Sequence, residues 1–404
     1  LKKIMKILQI HNRYKQLGGE DTVLSLERDL LLKNGHQVNT YQETNEEVET
    51  QSFLLKIKLG LNTIWSRKSY KRIVKELKVQ KPDIVHVHNT FPLLSPSIYW
   101  AINKFKIPVV LTLHNYRLIC SNALLMRNDL PCEKCVGNLG TKGLFYRCYR
   151  NSFTTTLPIF LMKILHKILG TYRNKIDAFI TLTEFSKSLF IKDGIPEKKI
   201  YVKPNFLKTD TTDIIQPSKR KDIVFVGRIS NEKGVDLLLE AWAKLNVNSN
   251  DNLIIVGDGP EKSKLEKQYN LHNIKWLGWQ DRDNILKIVS KSKYLIMTSK
   301  WYEGFPLVLL EAMSVGVPLI VPYHAGFPEI VQEGKNGFLF KPNDIQSISL
   351  TIEKAISLWD DQYDSQCMNS KENFENNYSS HINFTMLLEI YSNAIKSIDY
   401  AWYK

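Results

Sequence analysis

Long apolar runs are absent from this 404-residue sequence. No uninterrupted apolar stretch reaches the 18 or so residues that a membrane-spanning helix needs. The amino-terminal residues do not resemble a signal peptide either, because Met5 to Ile10 reads as a first strand and residues 1–4 as an upstream or alternative start. We therefore expect a cytoplasmic protein rather than a membrane-spanning one.

Acidic residues are scarce in the first half of the chain. Residues 1–205 contain 33 Lys and Arg against 16 Asp and Glu, whereas residues 206–404 contain 22 against 25. Within residues 54–81 nine basic residues accompany a single acidic one and are interleaved with apolar side chains: Lys56, Lys58, Arg67, Lys68, Lys71, Arg72, Lys75, Lys78 and Lys81. Because a basic amphipathic stretch can bind an anionic bilayer, we expect peripheral contact with the inner face of the cell membrane.

A second segment, Leu157 to Ile176, carries Lys163 and Lys167 among large apolar side chains. Two interpretations stay open for it. It is either a second membrane-facing helix or a helix packed into the core.

Cysteine is rare, with five residues, but four of them cluster at Cys120, Cys132, Cys135 and Cys148. A cytoplasmic setting argues against disulfides. Four thiolates on one long loop can form a structural zinc site, although a single Cys-x-x-Cys is a weaker signal than two. Structural zinc and reduced thiols packed in a loop therefore remain as alternatives.

Strand and helix patterns alternate along both halves of the chain. They predict an α/β fold of two doubly wound, Rossmann-like domains with parallel sheets, at residues 1–205 and 206–382, with the cysteine-containing insertion at about 115–150. Pro204 and residues 208–221 form the predicted linker. The predicted strands of the first domain are Met5 to Ile10, His36 to Tyr41, Asp83 to Val87, Val109 to Leu113, Ala178 to Leu182 and Ile200 to Val202.

Two carboxylates stand eight residues apart around a predicted helix start in the second half. Glu303 lies before Pro306, which suits the first helical turn, and Glu311 lies on the helix that ends before Pro318. A loop carboxylate beside free helix N–H groups can hold a polyhydroxylated anion. Read alone, the segment is equally compatible with a turn and an amphipathic helix with one solvated glutamate.

Upstream, a buried strand ending at Gly227 is followed by a loop with two cations, Arg228 and Lys233. A guanidinium and an ammonium group beside helix amides can neutralise a pyrophosphate. The next strand ends in the tight turn Gly257-Asp-Gly259, and a further strand, Ile274 to Gly278, contains Leu277 at an end that could cover a base. Each of these loops alone could be an ordinary solvated turn.

One metal-like signal is rejected. Asp281-Arg-Asp283 matches the Asp-x-Asp of metal-dependent transferases. It lies between a strand and the predicted helix Ile285 to Ser292, where a short acidic residue caps the helix.

Two features of the first half complete the pattern. Gly18 and Gly19 stand between the first strand and the predicted helix Thr22 to Lys33, where glycine allows a close backbone approach to a ligand or simply makes a turn. His114 ends the strand that begins at Pro108. On periodicity alone this histidine is a hydrogen-bonded structural residue.

Together these motifs resemble the retaining glycosyltransferases of family 4, over nearly the whole chain. The resemblance implies the GT-B architecture, with an amino-terminal acceptor domain, a carboxyl-terminal donor domain, an active site in the cleft between them, and a last helix, residues 383–404, that returns to the first domain. It implies that Arg228 and Lys233 stabilise the leaving nucleoside diphosphate, that Glu303 and His114 contact the donor sugar, and that Glu311 binds the ribose. The remaining donor-binding candidates are Gly18, Gly19, Gly227, Gly257, Gly259, Leu277, Gly304, Phe305, Pro306 and Leu307. No cofactor is expected for catalysis, because in GT-B enzymes cationic side chains and helix dipoles generally replace a divalent ion.

The expected partners are a nucleotide-sugar donor and a saccharide acceptor, and by analogy a lipid-linked saccharide in bacterial surface-polysaccharide assembly. One rival is a nucleotide-sugar epimerase of the same fold, although such epimerases lack the Glu303-to-Glu311 pattern. Another is a basic nucleic-acid-binding protein with a zinc module. Because that reading leaves the donor motifs unexplained, no nucleic-acid partner is expected.

Overall fold

A computed structural model describes residues 4–13, 18–44, 53–208, 215–245 and 251–400. Residues 209–214 of the predicted linker and residues 401–404 of the predicted last helix lie outside this range, as does the side chain of Lys56. The chain divides into two compact units. Unit 1 comprises residues 1–125, 132–205 and 383–404, and unit 2 comprises residues 126–131 and 206–382.

Unit 1 is built around a parallel sheet that, in the described residues, has six strands in the order β2-β1-β3-β4-β7-β8. Strands β3, β4 and β7 are buried along their whole length, as expected for a parallel sheet covered on both faces. The strands are β1 (Lys6–Arg13), β2 (Gln37–Thr44), β3 (Ile84–Val87), β4 (Val109–Thr112), β7 (Ala178–Thr181) and β8 (Ile200–Val202). A short hairpin of β5 (Met126–Arg127) and β6 (Leu130–Pro131) lies in the insertion.

Helices cover the two faces of this sheet. They are α1 (Gly19–Lys33), α2 (Phe53–Ile64), α3 (Arg67–Gln80), α4 (Ser97–Lys104), α5 (Thr141–Phe145), α6 (Phe153–Ile168), α7 (Thr171–Asn174) and α8 (Glu184–Lys192). The last helix, α16 (Ser380–Tyr400), contributes Phe384, Leu387 and Tyr391 to a core cluster with Ile7 of β1 and Ile84 of β3. The carboxyl-terminal segment is therefore part of the hydrophobic core of unit 1.

Unit 2 repeats the arrangement with a parallel sheet in the order β11-β10-β9-β12-β13-β14. Its core joins Phe225, Ile255, Tyr294 and Ile320 of the strands to Trp242 of a helix. The elements are β9 (Lys221–Val226), α9 (Val235–Ala243), β10 (Leu253–Val256), α10 (Lys262–Gln268), β11 (Ile274–Gly278), α11 (Arg282–Lys291), β12 (Ser292–Ile296), α12 (Leu307–Ser314), β13 (Leu319–Pro322), α13 (Phe327–Ile330), β14 (Gly337–Phe340), α14 (Ile345–Ile356) and α15 (Asp360–Asn377).

The predicted fold class is confirmed, because both units are α/β with a doubly wound parallel sheet. Each strand order also contains one point at which the winding direction reverses, between β1 and β3 in unit 1 and between β9 and β12 in unit 2. Ligands of doubly wound sheets bind outside the carboxyl ends of the strands at such a point. The loops after these four strands are therefore where a functional site is expected.

Candidate functional site

Glu303 accepts three hydrogen bonds in the loop after β12. It is only 6% exposed, and its Oε1 accepts hydrogen bonds from Ser299 Oγ at 2.6 Å, Trp301 Nε1 at 2.9 Å and Lys233 Nζ at 2.7 Å. Its Oε2 accepts no hydrogen bond from any residue that the structure describes. One oxygen is thus fixed by three donors while the other remains available to accept from a ligand hydroxyl.

Lys233 and Glu303 come from the two strands that flank the reversal point. Lys233 ends the loop after β9 and its side chain is 19% exposed, so the ion pair with Glu303 is largely shielded from water. The next residue, Gly234, has φ +67°, and a Cβ there would lie 2.1 Å from the carbonyl oxygen of Thr298. Only glycine therefore lets the β9 loop approach the β12 loop closely enough for this ion pair.

Arg228 differs from Lys233 in its surroundings. Its side chain is exposed, and within the described residues it forms no ion pair. The guanidinium is therefore available to a ligand without breaking an existing interaction.

The turns after β9 and β10 are in direct backbone contact. A Cβ on Gly257 would lie 1.9 Å from the carbonyl oxygen of Gly227, and a Cβ on Gly259 would lie 2.2 Å from that of Ile229. Ile229 donates its backbone N–H to the Asp258 carbonyl at 2.9 Å. These glycines have a structural role within unit 2, whatever ligand the turns meet.

Glu311 lies on α12 and pairs with Arg282 of α11, with 3.2 Å between Oε1 and Nε. Burial raises the pKa of the Glu311 carboxyl, against the opposing effect of Arg282. Leu277 at the end of β11 is 40% exposed, so its side chain is accessible as an apolar surface. Asp281 accepts the backbone N–H of Asn284 at 2.8 Å as the amino-terminal cap of α11, which confirms the cap predicted for the Asp-x-Asp segment.

The start of α12 differs slightly from the prediction. Pro306 was expected in the first turn, but it is the residue before the helix, with φ −68° and ψ 123°. Its extended backbone places Gly304, Phe305 and Pro306 in the loop and begins the helix at Leu307. Phe305 is buried with its ring 5.5 Å from that of Tyr378, the residue that follows α15, and this contact anchors the loop.

In unit 1, Gly18 and Gly19 form the entrance to α1. The helix begins at Gly19, three residues earlier than predicted, because Asp21 supplies the cap and accepts the Gly18 N–H at 2.9 Å. A Cβ on Gly18 would meet nothing closer than Asp21 Oδ2 at 4.0 Å. The packing of the described residues, which do not include 14–17, therefore does not require glycine at this position.

Beside this loop, Glu20 accepts a hydrogen bond from Asn89 Nδ2 at 3.0 Å, across the reversal point between β1 and β3. Burial, together with the charge of Asp21, raises the pKa of Glu20 to about 8. A carboxyl group that is largely protonated near neutral pH thus stands at the edge of the sheet.

His114 follows β4 and is half-buried. Its Nε2 lies 3.1 Å from Nδ1 of His88, and burial lowers its pKa to about 4. The side chain is therefore a neutral hydrogen-bonding group at pH 7.

Family models match both halves of the chain. The model described as Glycosyltransferase Family 4 matches residues 7–211, and that described as Glycosyl transferases group 1 matches residues 209–376. The chain belongs to glycosyltransferase family 4. The resemblance drawn from the sequence motifs is thereby confirmed.

Curated relatives and solved structures agree with this family. A protein of the cps region of Klebsiella pneumoniae is 26% identical over 72% of this chain and 74% of its own length. The lipopolysaccharide 1,6-galactosyltransferase of Escherichia coli is 29% identical over 53% of this chain and 63% of its own. The crystal structure of a Rickettsia africae glycosyltransferase superposes with a TM-score of 0.71, at 18% identity over 97% of this chain and 99% of that one. HepE from Anabaena, solved with UDP-glucose, has a TM-score of 0.65 at 18% identity over 96% and 100%. The likeness to these solved structures identifies the fold as GT-B.

Sequence reasoning missed three side chains around Glu303 in this family 4 enzyme. Ser299 and Trp301 hydrogen-bond to Glu303, and the ring of His324, after β13, has a pKa lowered to about 4 by burial in the same region. All three lie in the loops that follow β12 and β13. The rule that ligands bind at carboxyl ends of strands could have identified them.

The cysteine cluster does not form a preformed metal site in the described structure. Cys120 and Cys135 are buried, whereas Cys132 and Cys148 are half-buried. Among described residues, the group of His, Cys, Asp and Glu whose ligand atoms all lie within 4.8 Å is Glu27, His86 and His88 instead. That group already contains a cation, since Lys203 Nζ lies 2.7 Å from Glu27 Oε1. Structural zinc on the four cysteines stays a prediction.

Proposed function

We propose that this glycosyltransferase transfers a hexose from a nucleotide-sugar donor to an acceptor hydroxyl with retention of the anomeric configuration. The observation that carries the proposal is the Glu303 network. Three donors hold one carboxylate oxygen and leave the other for a ligand, and the Lys233 amine lies 2.7 Å from the same group. A sugar-binding carboxylate and a phosphate-binding cation are thus paired at the reversal point of the unit 2 sheet.

The side chains divide the donor between them in this proposal. Arg228 and Lys233 hold the diphosphate and stabilise the charge that develops on it as the glycosidic bond breaks. Glu303 and the amides of Gly304 and Phe305 hold the sugar, while Glu311 accepts hydrogen bonds from the ribose. His114 contacts the sugar on its C6 side, as the family resemblance implies.

Retention follows the family's pattern in this proposal. The acceptor oxygen forms its bond to the anomeric carbon on the face from which the diphosphate departs, and the acceptor proton passes to the leaving phosphate. We propose that no divalent ion takes part, because Arg228 and Lys233 supply positive charge to the diphosphate. The role of Asp281 as a helix cap supports this, since it removes the Asp-x-Asp segment from consideration as a metal site.

We further propose a lipid-linked saccharide acceptor met at an anionic membrane surface. Helix α3 supports this because it buries Ser69, Ile73 and Leu77 and exposes a basic face of Arg67, Lys68, Lys71, Arg72, Lys75 and Lys78. On α6, Leu161 and Ile168 are 41% and 75% exposed. In the described residues, no helix is both long and apolar enough to cross a bilayer. The relatives named for a cps region and for lipopolysaccharide synthesis are consistent with a cell-surface polysaccharide.

A thermal-shift panel of UDP-, GDP-, ADP- and dTDP-sugars tests the donor site. A ligand at 100 times its dissociation constant adds about 2.7 kcal/mol to the free energy of unfolding. We expect one nucleotide class to stabilise the wild type and to have no effect on the Arg228→Ala/Lys233→Ala double variant. Stabilisation by nucleic acid, with no response to any nucleotide sugar, would contradict the proposal. Conversion of the donor to an epimerised nucleotide sugar, with no sugar transferred to an acceptor, would favour the epimerase alternative.

Binding to vesicles tests the membrane surface. Each cation near an anionic bilayer contributes about 1 kcal/mol, so the Lys68→Glu/Lys71→Glu/Lys75→Glu variant should bind phosphatidylglycerol-containing vesicles at least roughly 100-fold more weakly than the wild type. The matched control reverses three lysines of unit 2, Lys264, Lys267 and Lys275, and should bind as the wild type does. Equal loss in both variants would mean that only net charge matters.

A further inference from the structure

A chain of side chains connects the buried core of unit 1 to His114. Lys203 Nζ lies 2.7 Å from Glu27 Oε1, Glu27 Oε2 lies 3.4 Å from His88 Nε2, and His88 Nδ1 lies 3.1 Å from His114 Nε2. The side chains of Lys203, Glu27 and His88 are almost completely buried. His114, at the end of the chain, is half-buried, and its Nδ1 bonds to no residue that the structure describes.

The two imidazoles meet edge to edge. Their planes differ by 19° and their centroids lie 5.3 Å apart, which fits two nearly coplanar rings that share one in-plane hydrogen bond between the facing nitrogens. One of the two nitrogens must therefore carry the hydrogen and the other must accept it.

The buried ion pair decides which nitrogen carries the hydrogen. Burial alone would raise the pKa of Glu27, but Lys203 and the neighbouring histidines together lower it. The net shift of the pKa is downward, so Glu27 is an ionised, acceptor-only carboxylate. Burial lowers the pKa of His88 well below its ordinary value, so this ring is neutral. Glu27 Oε2 lies 3.4 Å from His88 Nε2 without hydrogen-bond geometry, and neither atom has a hydrogen-bond partner among the described residues. The negative charge of the carboxylate favours the hydrogen on Nε2, so that His88 presents an unprotonated Nδ1 to His114. His114 must donate through Nε2–H, which leaves its Nδ1 with a free lone pair.

We infer that Glu27 and His88 are positioning residues that hold His114 as its Nε2–H tautomer, so that Nδ1 accepts a hydrogen bond from a sugar hydroxyl. The identity of the substrate rests on the proposed function, whereas the assignment of hydrogens to the ring nitrogens of His88 and His114 does not. A neutral acceptor nitrogen pairs with a hydroxyl and has no proton to offer to a carboxylate. His114 therefore selects a donor sugar with a hydroxyl at this point over the corresponding uronic acid or deoxy sugar.

His86 provides a matched control on the same strand. It is equally buried and lies 3.6 Å from Glu27, but its nitrogens lie 2.8 Å from Tyr391 Oη and 2.8 Å from Thr112 Oγ1. It makes no hydrogen bond to His114. Its ring packs against that of His88, with 4.2 Å between the centroids, so replacing His86 disturbs the surroundings of the chain without removing one of its members.

The test is two-bond ¹H–¹⁵N NMR of the full-length protein labelled with ¹⁵N-histidine, with His114→Gln used for assignment. We expect His114 to show protonated Nε2 and unprotonated Nδ1 in the wild type and in His86→Phe, and a mixture of tautomers in His88→Phe. A protonated Nδ1 in the wild type would overturn the inference, as would an unchanged tautomer in His88→Phe. The wild-type spectrum decides the tautomer even if His88→Phe does not fold.

Kinetics with the donor identified by the thermal-shift panel distinguish positioning from simple destabilisation. His88→Phe should lower kcat about tenfold, a size typical of residues that orient a functional side chain, and should have no further effect in the His114→Ala background. His86→Phe should change kcat less than twofold. Additive losses of kcat from His88→Phe and His114→Ala would contradict the inference that His88 acts through His114. If the tautomer is as expected and no nucleotide sugar is turned over, the proposed function fails while the assignment of hydrogens to the ring nitrogens stands.

Discussion

At the residue scale, Lys233 and Arg228 differ in a way that the sequence did not show. Lys233 forms an ion pair with Glu303. Lys233 has a protein partner at 2.7 Å and Arg228 has none among the described residues. Their replacement should therefore affect stability differently, even though both are proposed to bind the diphosphate.

We predict that Arg228→Ala weakens binding of the cognate nucleoside diphosphate at least tenfold and changes the free energy of unfolding by less than about 0.5 kcal/mol. Lys233→Ala should weaken binding as well and also destabilise the fold by about 1–3 kcal/mol, because it leaves Glu303 buried without its cation. Calorimetric titration and urea unfolding measure the two quantities. Lys244→Ala, which removes an exposed lysine of unit 2, is the control. An Arg228→Ala protein that binds as tightly as the wild type would contradict the assigned role.

Glu20 gives a prediction for pH dependence. Its pKa is about 8 in the folded chain and about 4.5 in the unfolded chain. As the pH rises between these values, the unfolded state loses its proton while the folded state keeps it. The free energy of unfolding therefore falls over this range of pH. Glu20→Gln removes this contribution. We compare the free energy of unfolding of the variant with that of the wild type at each pH. The difference, variant minus wild type, should be about 1–3 kcal/mol more positive at pH 8.5 than at pH 5 in chemical unfolding.

The exposed Glu266 supplies the matched control for Glu20. Glu266→Gln should show the same pH dependence as the wild type. If Glu20→Gln and Glu266→Gln behave alike, the Glu20 carboxyl is not held protonated by burial.

At the element scale, substitution of Gly257 and Gly18 distinguishes a glycine that the fold requires from one that a ligand requires. We predict that Gly257→Ala destabilises unit 2 by about 3 kcal/mol or more, because its Cβ would lie 1.9 Å from a carbonyl oxygen at φ +139°. Gly18→Ala should unfold at the wild-type temperature, since no described residue approaches that space more closely than 4.0 Å, and it should still lower donor turnover at least about tenfold. Normal turnover in Gly18→Ala would remove the Gly18 loop from the site.

The elements also show where sequence reasoning succeeds. Buried strands were predicted to within one residue of their observed bounds, as Val109 to Leu113 was for β4, because continuous apolar runs mark strands covered on both faces. Helix ends were less accurate. The segment Leu157 to Ile176 is two helices, because Gly170 adopts φ +60° between them, and it both buries Met162 and exposes Ile168. The buried Met162 confirms that the segment packs into the core, whereas its interpretation as a membrane-facing helix stays a prediction.

At the scale of the site, family motifs identified Glu303, Lys233 and Arg228, but not their different partners. The ion pair joins residues 70 positions apart, and the chain from Lys203 to His114 joins β8, α1, β3 and the end of β4. Such contacts depend on strand order, which spacing along the chain does not encode. Ser299 and Trp301 are different, because they lie within four residues of Glu303 in the same loop, and the rule that ligands bind at carboxyl ends of strands could have identified them.

At the scale of the whole molecule, metal content decides between zinc and reduced thiols in the insertion. If the zinc alternative is correct, the purified protein should contain about one zinc ion per chain, lost in Cys135→Ser and retained in Cys367→Ser. Elemental analysis by mass spectrometry measures this. A metal-free wild type whose cysteines all react with a thiol reagent would favour the alternative, reduced thiols packed in the loop.

The central claim is transfer of a hexose from a nucleotide sugar with retention. The most direct measurement is ¹H NMR of the anomeric proton in the first sugar that the enzyme transfers or releases from an α-linked nucleotide sugar, recorded before mutarotation. The account predicts an α-configured product whose formation is lost in the Arg228→Ala/Lys233→Ala variant. A β-configured first product would contradict retention, and failure to turn over any nucleotide sugar would contradict the proposed activity.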